Sequence, residues 1–251
     1  MRLRLKIAYD GRPHAGWQSQ SCGNTVQDIL AAAIERVAKC QVPVHGSGRT
    51  DAGVHALGQI AHFDAPAGIS MNPFNWVPAL NTKLPPSIRV MECVEVSAGF
   101  HARFGAKGKV YHYLLSCEPV LSPFRAGLVW HLPRGLDGAE LQKALCGFQG
   151  RHDFHGFAAY RGNEGPDMDW CRTIHRAVVF EEGMGYRIEI EGDGFLYKMV
   201  RLMVGGAVHA AQGRMSIPEL RALLDQADGL PGGKSPLCAP PDGLYLHEVL
   251  Y

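Results

Sequence analysis

No apolar run in these 251 residues reaches the roughly 20 residues that span a bilayer, so a membrane protein is not expected. No signal-peptide pattern is visible either. The chain opens on Arg2-Leu-Arg-Leu-Lys-Ile-Ala-Tyr9, which alternates like a strand, and a cytoplasmic location is the expectation. Cysteine carries no pattern: seven copies, odd in number and widely spread, contain no C-x-x-C pair. That argues against a disulfide framework and a zinc knuckle alike, and no metal is expected. An excess of one charge is missing too, since the formal net charge is only +1 and gives no global signal for nucleic acid. Nucleotide-binding loops are also wanting. No segment has the full Gly-x4-Gly-Lys-Ser/Thr form, and Gly46-x-Gly48 has Asp51 where a dinucleotide turn needs its third glycine. A carboxylate there would repel a pyrophosphate, so no cofactor is expected.

What is present is an ordinary globular composition, 46% hydrophobic and 20% charged, enough for a full core. The element signals come in two similar runs. Residues 2–9 alternate, with Leu3, Leu5, Ile7 and Tyr9 on one face. Asn24 or Thr25 can cap a helix with Val26, Ile29, Leu30, Ala33, Ile34 and Val37 on one stripe. Strand-like runs near 42–46 and 56–64, a helix near 73–81 and a strand at 88–96 follow. The second run has a strand at 109–115, a helix over 138–148, a hairpin of 173–181 with 185–191, and a helix from about 196 to 211. Ser216 and Glu219 form a capping box for one more helix, and 244–250 closes as a strand. The expected fold is α+β, two ferredoxin-like β-α-β-β-α-β halves with mainly antiparallel sheets around a central cleft, residues 1–104 and 105–251.

Candidate chemistry centres on Gly46-Ser-Gly-Arg-Thr-Asp-Ala-Gly-Val-His55, a glycine-rich loop between two apolar runs. It carries Asp51, with Arg49 two residues earlier. Loops held between rigid elements commonly bear catalytic groups, although an aspartate in such a loop also caps local amides. A functional Asp51 needs a cation to keep it ionised in a dry site, and Arg201, at the margin of the 196–211 helix, is the candidate. A surface arginine is the plainer reading. Tyr111 in the 109–115 strand offers a ring for stacking and a hydroxyl for hydrogen bonding, or is simply core. His152 and His155 have a spacing that suits a metal but lack a second ligand cluster. Asp193 is a rival carboxylate or a turn residue. Between Ser97 and Cys117 there is no acid, while Arg103, Lys107 and Lys109 accumulate, a local patch fit for phosphates or a solvated face.

Several segments together resemble the tRNA pseudouridine synthase A family. They are Tyr9-Asp-Gly11, Gly16-Trp-Gln18 and Thr25-Val-Gln27; GRTDAGVHA with Gln59 and His62-Phe63; and Phe100-His-Ala-Arg-Phe104 with Lys109, Tyr111 and Tyr113. His152-Asp-Phe154, Gly194-Phe-Leu-Tyr-Lys-Met-Val-Arg201 and Ala239-Pro-Pro-Asp-Gly-Leu-Tyr-Leu246 complete the set. The resemblance implies an isomerase that converts uridine to pseudouridine on the 3′ side of the tRNA anticodon stem-loop (tRNA positions 38, 39 and 40), without a cofactor, as a homodimer. It implies catalytic roles for Asp51, Tyr111 and Arg201. Substrate-binding roles fall to Arg49, Thr50, His55, Arg103, Lys109 and Lys198. His14 replaces a common aromatic, Gly105 and Lys109 replace a common Ser and Arg, and 230–238 lacks a common Asp-Arg pair. A non-catalytic RNA-binding module would call for RNP-type aromatic strands, which are wanting. A carboxylate-dependent hydrolase using Asp51 and Asp193 would release free uracil or sugar.

Overall fold

In the computed structural model, which describes every residue except 161, 163, 164, 166 and 226–236, strand β1 (Arg2–Tyr9) buries Leu3, Leu5, Ile7 and Tyr9, as period-2 alternation predicts. Helix α1 (Val26–Ala38) starts at Thr25, whose hydroxyl oxygen accepts from the Asp28 amide at 3.2 Å, and buries Val26, Leu30, Ala33, Ile34 and Ala38 on one stripe. Strand β2 is only His45–Gly46, shorter than the 42–46 run suggested, because the chain leaves the sheet at once to form the Asp51 loop. Strand β3 (His55–Asp64) is buried on both faces for most of its length. Helix α2 (Pro73–Asn81) is capped by Asn72 and tied to β4 (Ile88–Val96) by a two-way bond between the Asn81 amide side chain and the Val90 backbone.

These elements form one of two compact units, Met1–Lys107 with Tyr245–Tyr251. Its sheet runs β4-β1-β3, antiparallel, with β2 on the far edge of β3. That is the order of a ferredoxin-like β-α-β-β-α-β unit. The closing strand β10 (Leu244–Leu250) shares that β3 edge, pairing in parallel through Tyr245 with His55 and Leu246 with Ala56. Gly58 permits this approach, since a Cβ there would lie 2.3 Å from the His247 carbonyl oxygen.

The other unit spans Gly108–Leu244. Its strands β5 (Gly108–Ser116), β7 (Gly150–Asp153), β8 (Cys171–Glu181) and β9 (Gly185–Gly192) lie in the antiparallel order β5-β9-β8-β7. A two-residue strand β6 (Trp130–His131) pairs in parallel with β5. Helix α3 (Gly138–Cys146) is capped by Asp137. Helix α4 (Met199–Ala211) starts later than periodicity suggested, because Lys198 takes φ 59° and forms the N-cap. The helix is buried nearly all round, packed by α3, by α5 (Ile217–Ala222) and by the 237–239 segment. The capping box of Ser216 and Glu219 is present at the start of α5. The 230–238 segment, where the sequence departs from the common Asp-Arg pattern, lies outside the described residues except for Leu237 and Cys238.

Candidate active site

The loop from Ser47 to Val54 is held by the chain that follows β1. Tyr9, at the end of β1, is buried, and its hydroxyl lies 2.8 Å from Thr50 Oγ1. Burial pushes the Tyr9 phenol up to about 12, partly offset by its bonds to Thr50 and Gln59, so it stays a neutral hydroxyl. Trp17 N–H donates to the Thr50 carbonyl at 3.1 Å. Gly16 sits at φ +88°, where a Cβ would come within 2.6 Å of that same carbonyl oxygen. The Trp17 indole in turn lies against Gly46, where a Cβ would sit 2.4 Å from Nε1.

The opposite side of the loop is closed by Gln59, which is fully buried. Its Oε1 accepts from Ser47 Oγ at 2.6 Å and its Nε2 donates to the Gly48 carbonyl at 3.0 Å. Within the loop, Val54 N–H donates back to the Asp51 carbonyl at 3.1 Å. Backbone groups on both flanks of Asp51 are therefore satisfied by buried partners, and the half-buried carboxylate is carried by a rigid frame. Arg49 projects outward, exposed, with Nε 3.2 Å from Gln18 Oε1.

His55 ends the loop. Its Nδ1 accepts from the Gly11 N–H at 3.1 Å, which leaves the ring hydrogen on Nε2. Asp10 Oδ1 lies 3.4 Å from the same nitrogen, but a nitrogen accepting from Gly11 is not also a donor to Asp10. Asp10 is instead held by Arg12, at 2.6–3.0 Å, which keeps its carboxyl below the ordinary range. The other face of His55 is covered by Tyr245 of β10, stacked with centroids 4.5 Å apart.

In the second unit, Tyr111 pairs with Ile190 across β5 and β9, and its buried ring meets Phe195 edge-on at 5.0 Å. Arg201, in the first turn of α4, is half-buried, and its Nε donates to the Ala239 carbonyl at 2.8 Å while its own carbonyl accepts from the Ala239 N–H at 3.0 Å. It is a positioned side chain, which argues against a loose surface arginine. Lys198 places Nζ 5.3 Å from the Tyr197 ring centroid. Lys109 is half-buried at the start of β5, paired with Gly192.

The structure thus brings Arg49, Thr50, Asp51 and His55 together on one braced loop, and places Lys109 and Tyr111 on β5 and Lys198 and Arg201 at the start of α4. Arg103 stands apart on the 97–105 segment. Asp193 serves the backbone: its Oδ1 accepts from Thr173 N–H at 3.0 Å and its N–H donates to the Thr173 carbonyl at 3.1 Å. His152 Nε2 lies 2.9 Å from the Gln149 carbonyl, and His155 stacks on Trp170 at 4.4 Å. Among the described residues no group of three or more His, Cys, Asp or Glu side chains is placed to hold a metal, and no helix is long and apolar enough to cross a membrane. The braces Tyr9, Gly11, Gly16, Trp17 and Gln59, and the Phe195 wall, escaped sequence reasoning as functional residues. All of them lie in the segments that carry the family resemblance, but their use depends on distant chain.

Residues 6–105 and 144–251 match the family described as tRNA pseudouridine synthase. The chain is 50% identical to tRNA pseudouridine synthase A of Akkermansia muciniphila, over 100% of this chain and 95% of that one. It is 40% identical to the proteins of the same name from Chromobacterium violaceum and Shouchella clausii, each over 100% of this chain and 93% of the relative. A solved Cbf5-Nop10-Gar1 complex aligns over 82% of this chain and 44% of the other, at 11% identity and TM-score 0.38, too distant a likeness to argue from. With a family match over most of its length and relatives of this identity end to end, the chain belongs to the tRNA pseudouridine synthase family.

Proposed function

We propose that this chain isomerises uridine to pseudouridine on the 3′ side of the tRNA anticodon stem-loop, with Asp51 as the essential carboxylate. The isomerase class follows from the family. The observation that carries the role of Asp51 is its loop, pinned from both sides by Tyr9, Trp17, Gly16 and Gln59 so that one carboxylate is held without the freedom of an ordinary turn. A uridine in a stem is reachable only after flipping out, at a cost of a few kcal/mol. Arg49, exposed beside Asp51, has the planar cation suited to fill the vacated space and contact phosphate.

The reaction then conserves all atoms. The N1–C1′ bond breaks, with Asp51 either adding to sugar or base or removing a ribose proton; the uracil turns in place. C5 bonds to C1′, C5 gives up its proton, and N1 gains one. Tyr111, whose buried ring meets Phe195, and Arg201, held to the Ala239 carbonyl, act as the further catalytic residues. Thr50, His55, Lys109, Lys198 and Arg103 bind substrate, and the enzyme works as a homodimer.

The test is tritium release from unmodified tRNA carrying [5-³H]uridine, by wild type and by Asp51→Asn. Release by wild type, abolished in a variant that still folds and binds tRNA, supports the reading; mapping the product along the tRNA locates it. No release by folded, tRNA-binding wild type across a broad tRNA pool would overturn it.

A further inference from the structure

Segment 97–105 lies across the face of the first unit's sheet that carries Arg2, Arg4 and His62, and it is tied down there. Arg2 donates to the carbonyls of Ala98 at 2.6 Å and Phe100 at 2.8 Å. Ala102 N–H donates to His62 Nδ1 at 3.2 Å, and the Tyr251 hydroxyl donates to the Ala102 carbonyl at 2.6 Å. The segment then turns sharply: His101 Nδ1 accepts from the backbone N–H of Arg103 at 3.1 Å and of Phe104 at 3.2 Å. Both bonds fix the imidazole and leave its hydrogen on Nε2.

The outcome is a row of rings. His62, buried, stacks on His45 at 5.0 Å; His45 and His101 are 5.6 Å apart; His101 and Phe104 are 4.4 Å apart at 33°. The row ends in solvent at Phe104, 78% exposed, with the Arg103 guanidinium 5.7 Å from its centroid. A phenylalanine presented on a rigid turn wants a partner for its face. The charge around it selects which kind. Arg103 and Lys107 are both exposed, and no acid occurs from Ser97 to Cys117, so an anionic partner with flat apolar groups fits best. Cations interleaved with exposed rings are the usual surface for nucleic-acid strands.

We propose that Phe104, His101 and Arg103 form a second RNA subsite, where an unpaired base of the tRNA stacks on the Phe104 ring and its phosphate meets Arg103. The inference rests on the tRNA-modifying reading above and extends it to a place on the protein away from the reacting uridine. His55, at the foot of the Asp51 loop, and His62, under the ring row, are seven residues apart on β3. At a rise of about 3.3 Å per residue that is ~23 Å, or on the order of seven base steps along a helical strand at ~3.4 Å each. The subsite therefore sets how the tRNA lies, not what happens to the uridine.

The experiment compares wild type, Phe104→Ala and Phe104→Trp for the Kd of unmodified tRNA, for KM and kcat in tritium release, and for mass by light scattering. Phe104→Ala is expected to weaken tRNA binding about 5- to 150-fold, the range for loss of one stacked base, with KM rising in step. Phe104→Trp should restore binding, since it keeps a π-face. An unchanged Kd in Phe104→Ala, or a loss confined to kcat, overturns the subsite. So does a change of mass without a change in Kd, which would mean that another protein chain covers Phe104. Wild type that binds tRNA but releases no tritium defeats the proposed reaction, while the Kd comparison still decides the subsite.

Discussion

Gly16 shows how a residue far from any reacting atom can control the site. Its φ of +88° is strained for any side chain, and a Cβ would press on the Thr50 carbonyl at 2.6 Å, one peptide from Asp51. Because that contact is backbone to backbone, relief comes only by moving the loop, and displacement of about 1 Å can cost roughly 100-fold in rate. Gly16→Ala is therefore expected to lower kcat for tritium release by about that factor while circular dichroism stays native; near-wild-type turnover would show that the loop is not positioned from this side. Thr50→Val tests the brace by another route. It removes the 2.8 Å bond to the buried Tyr9 hydroxyl but leaves that to Gln59, a loss of about 1 kcal/mol, readable by urea denaturation. Asp51 and Arg49 were legible in the sequence because glycines, arginine and aspartate occur together in one short string. Gly16, Trp17 and Gln59 stood out only as members of family-like segments; their bracing role was not legible, because each acts on that string from another part of the chain.

At the scale of elements, local pattern read well wherever one face is buried and the other wet. β1, α1 and the β8–β9 hairpin follow their periodicities to within a residue or two. It failed where tertiary contacts decide. β7 is four residues with little burial, β6 is two, and neither carries an alternation long enough to register. β10 was readable as a strand, but its parallel pairing with β3 depends on the close approach at Gly58. α4 read as a helix from its local pattern, but its burial on nearly every side has reasons found in Gly205. A Cβ there would lie 1.4 Å from the Leu237 carbonyl oxygen. Gly205→Ala would gain about 1 kcal/mol of helix propensity, yet a clash with backbone cannot be relieved by a rotamer and outweighs it. The variant should unfold at lower urea than wild type, by several kcal/mol if the 237–239 segment is expelled; a stabilised variant would show that this segment is not seated on α4 in solution. By contrast, Ser216→Ala removes only the α5 capping box and should cost about 1 kcal/mol.

For the whole molecule, the shifted histidines and carboxylates point one way. His14, His62, His101 and His209 all hold their protons less tightly than an ordinary imidazole, chiefly through burial. His62 is the extreme, pushed down to about 4 by desolvation and then by the neighbouring His101 and His45 and by Arg2, against a smaller opposing pull from Asp64. Unfolded, these rings take up protons as pH falls through about 6.5; folded, they resist, so acid favours the unfolded chain. Their contribution is whole above pH 6.5 and, for His62, is lost between there and about 4. The carboxyls of Asp10 and Asp64, lowered by Arg12 and Arg2, and of Asp28 and Glu219, lowered by hydrogen bonds at helix starts, act in the same direction at lower pH. Their stabilisation is present above the unfolded values of 3.8 and 4.5 and fades as pH drops through the folded ones. Unfolding free energy from denaturant titrations should therefore fall in two stages on acidification, histidines first and carboxylates after. His62→Gln, which removes the ring proton site, should flatten the first stage even if it lowers stability at neutral pH. A profile level from pH 7.5 to 5 in wild type, or an unaltered slope in the variant, would show that the ring row does not keep His62 neutral.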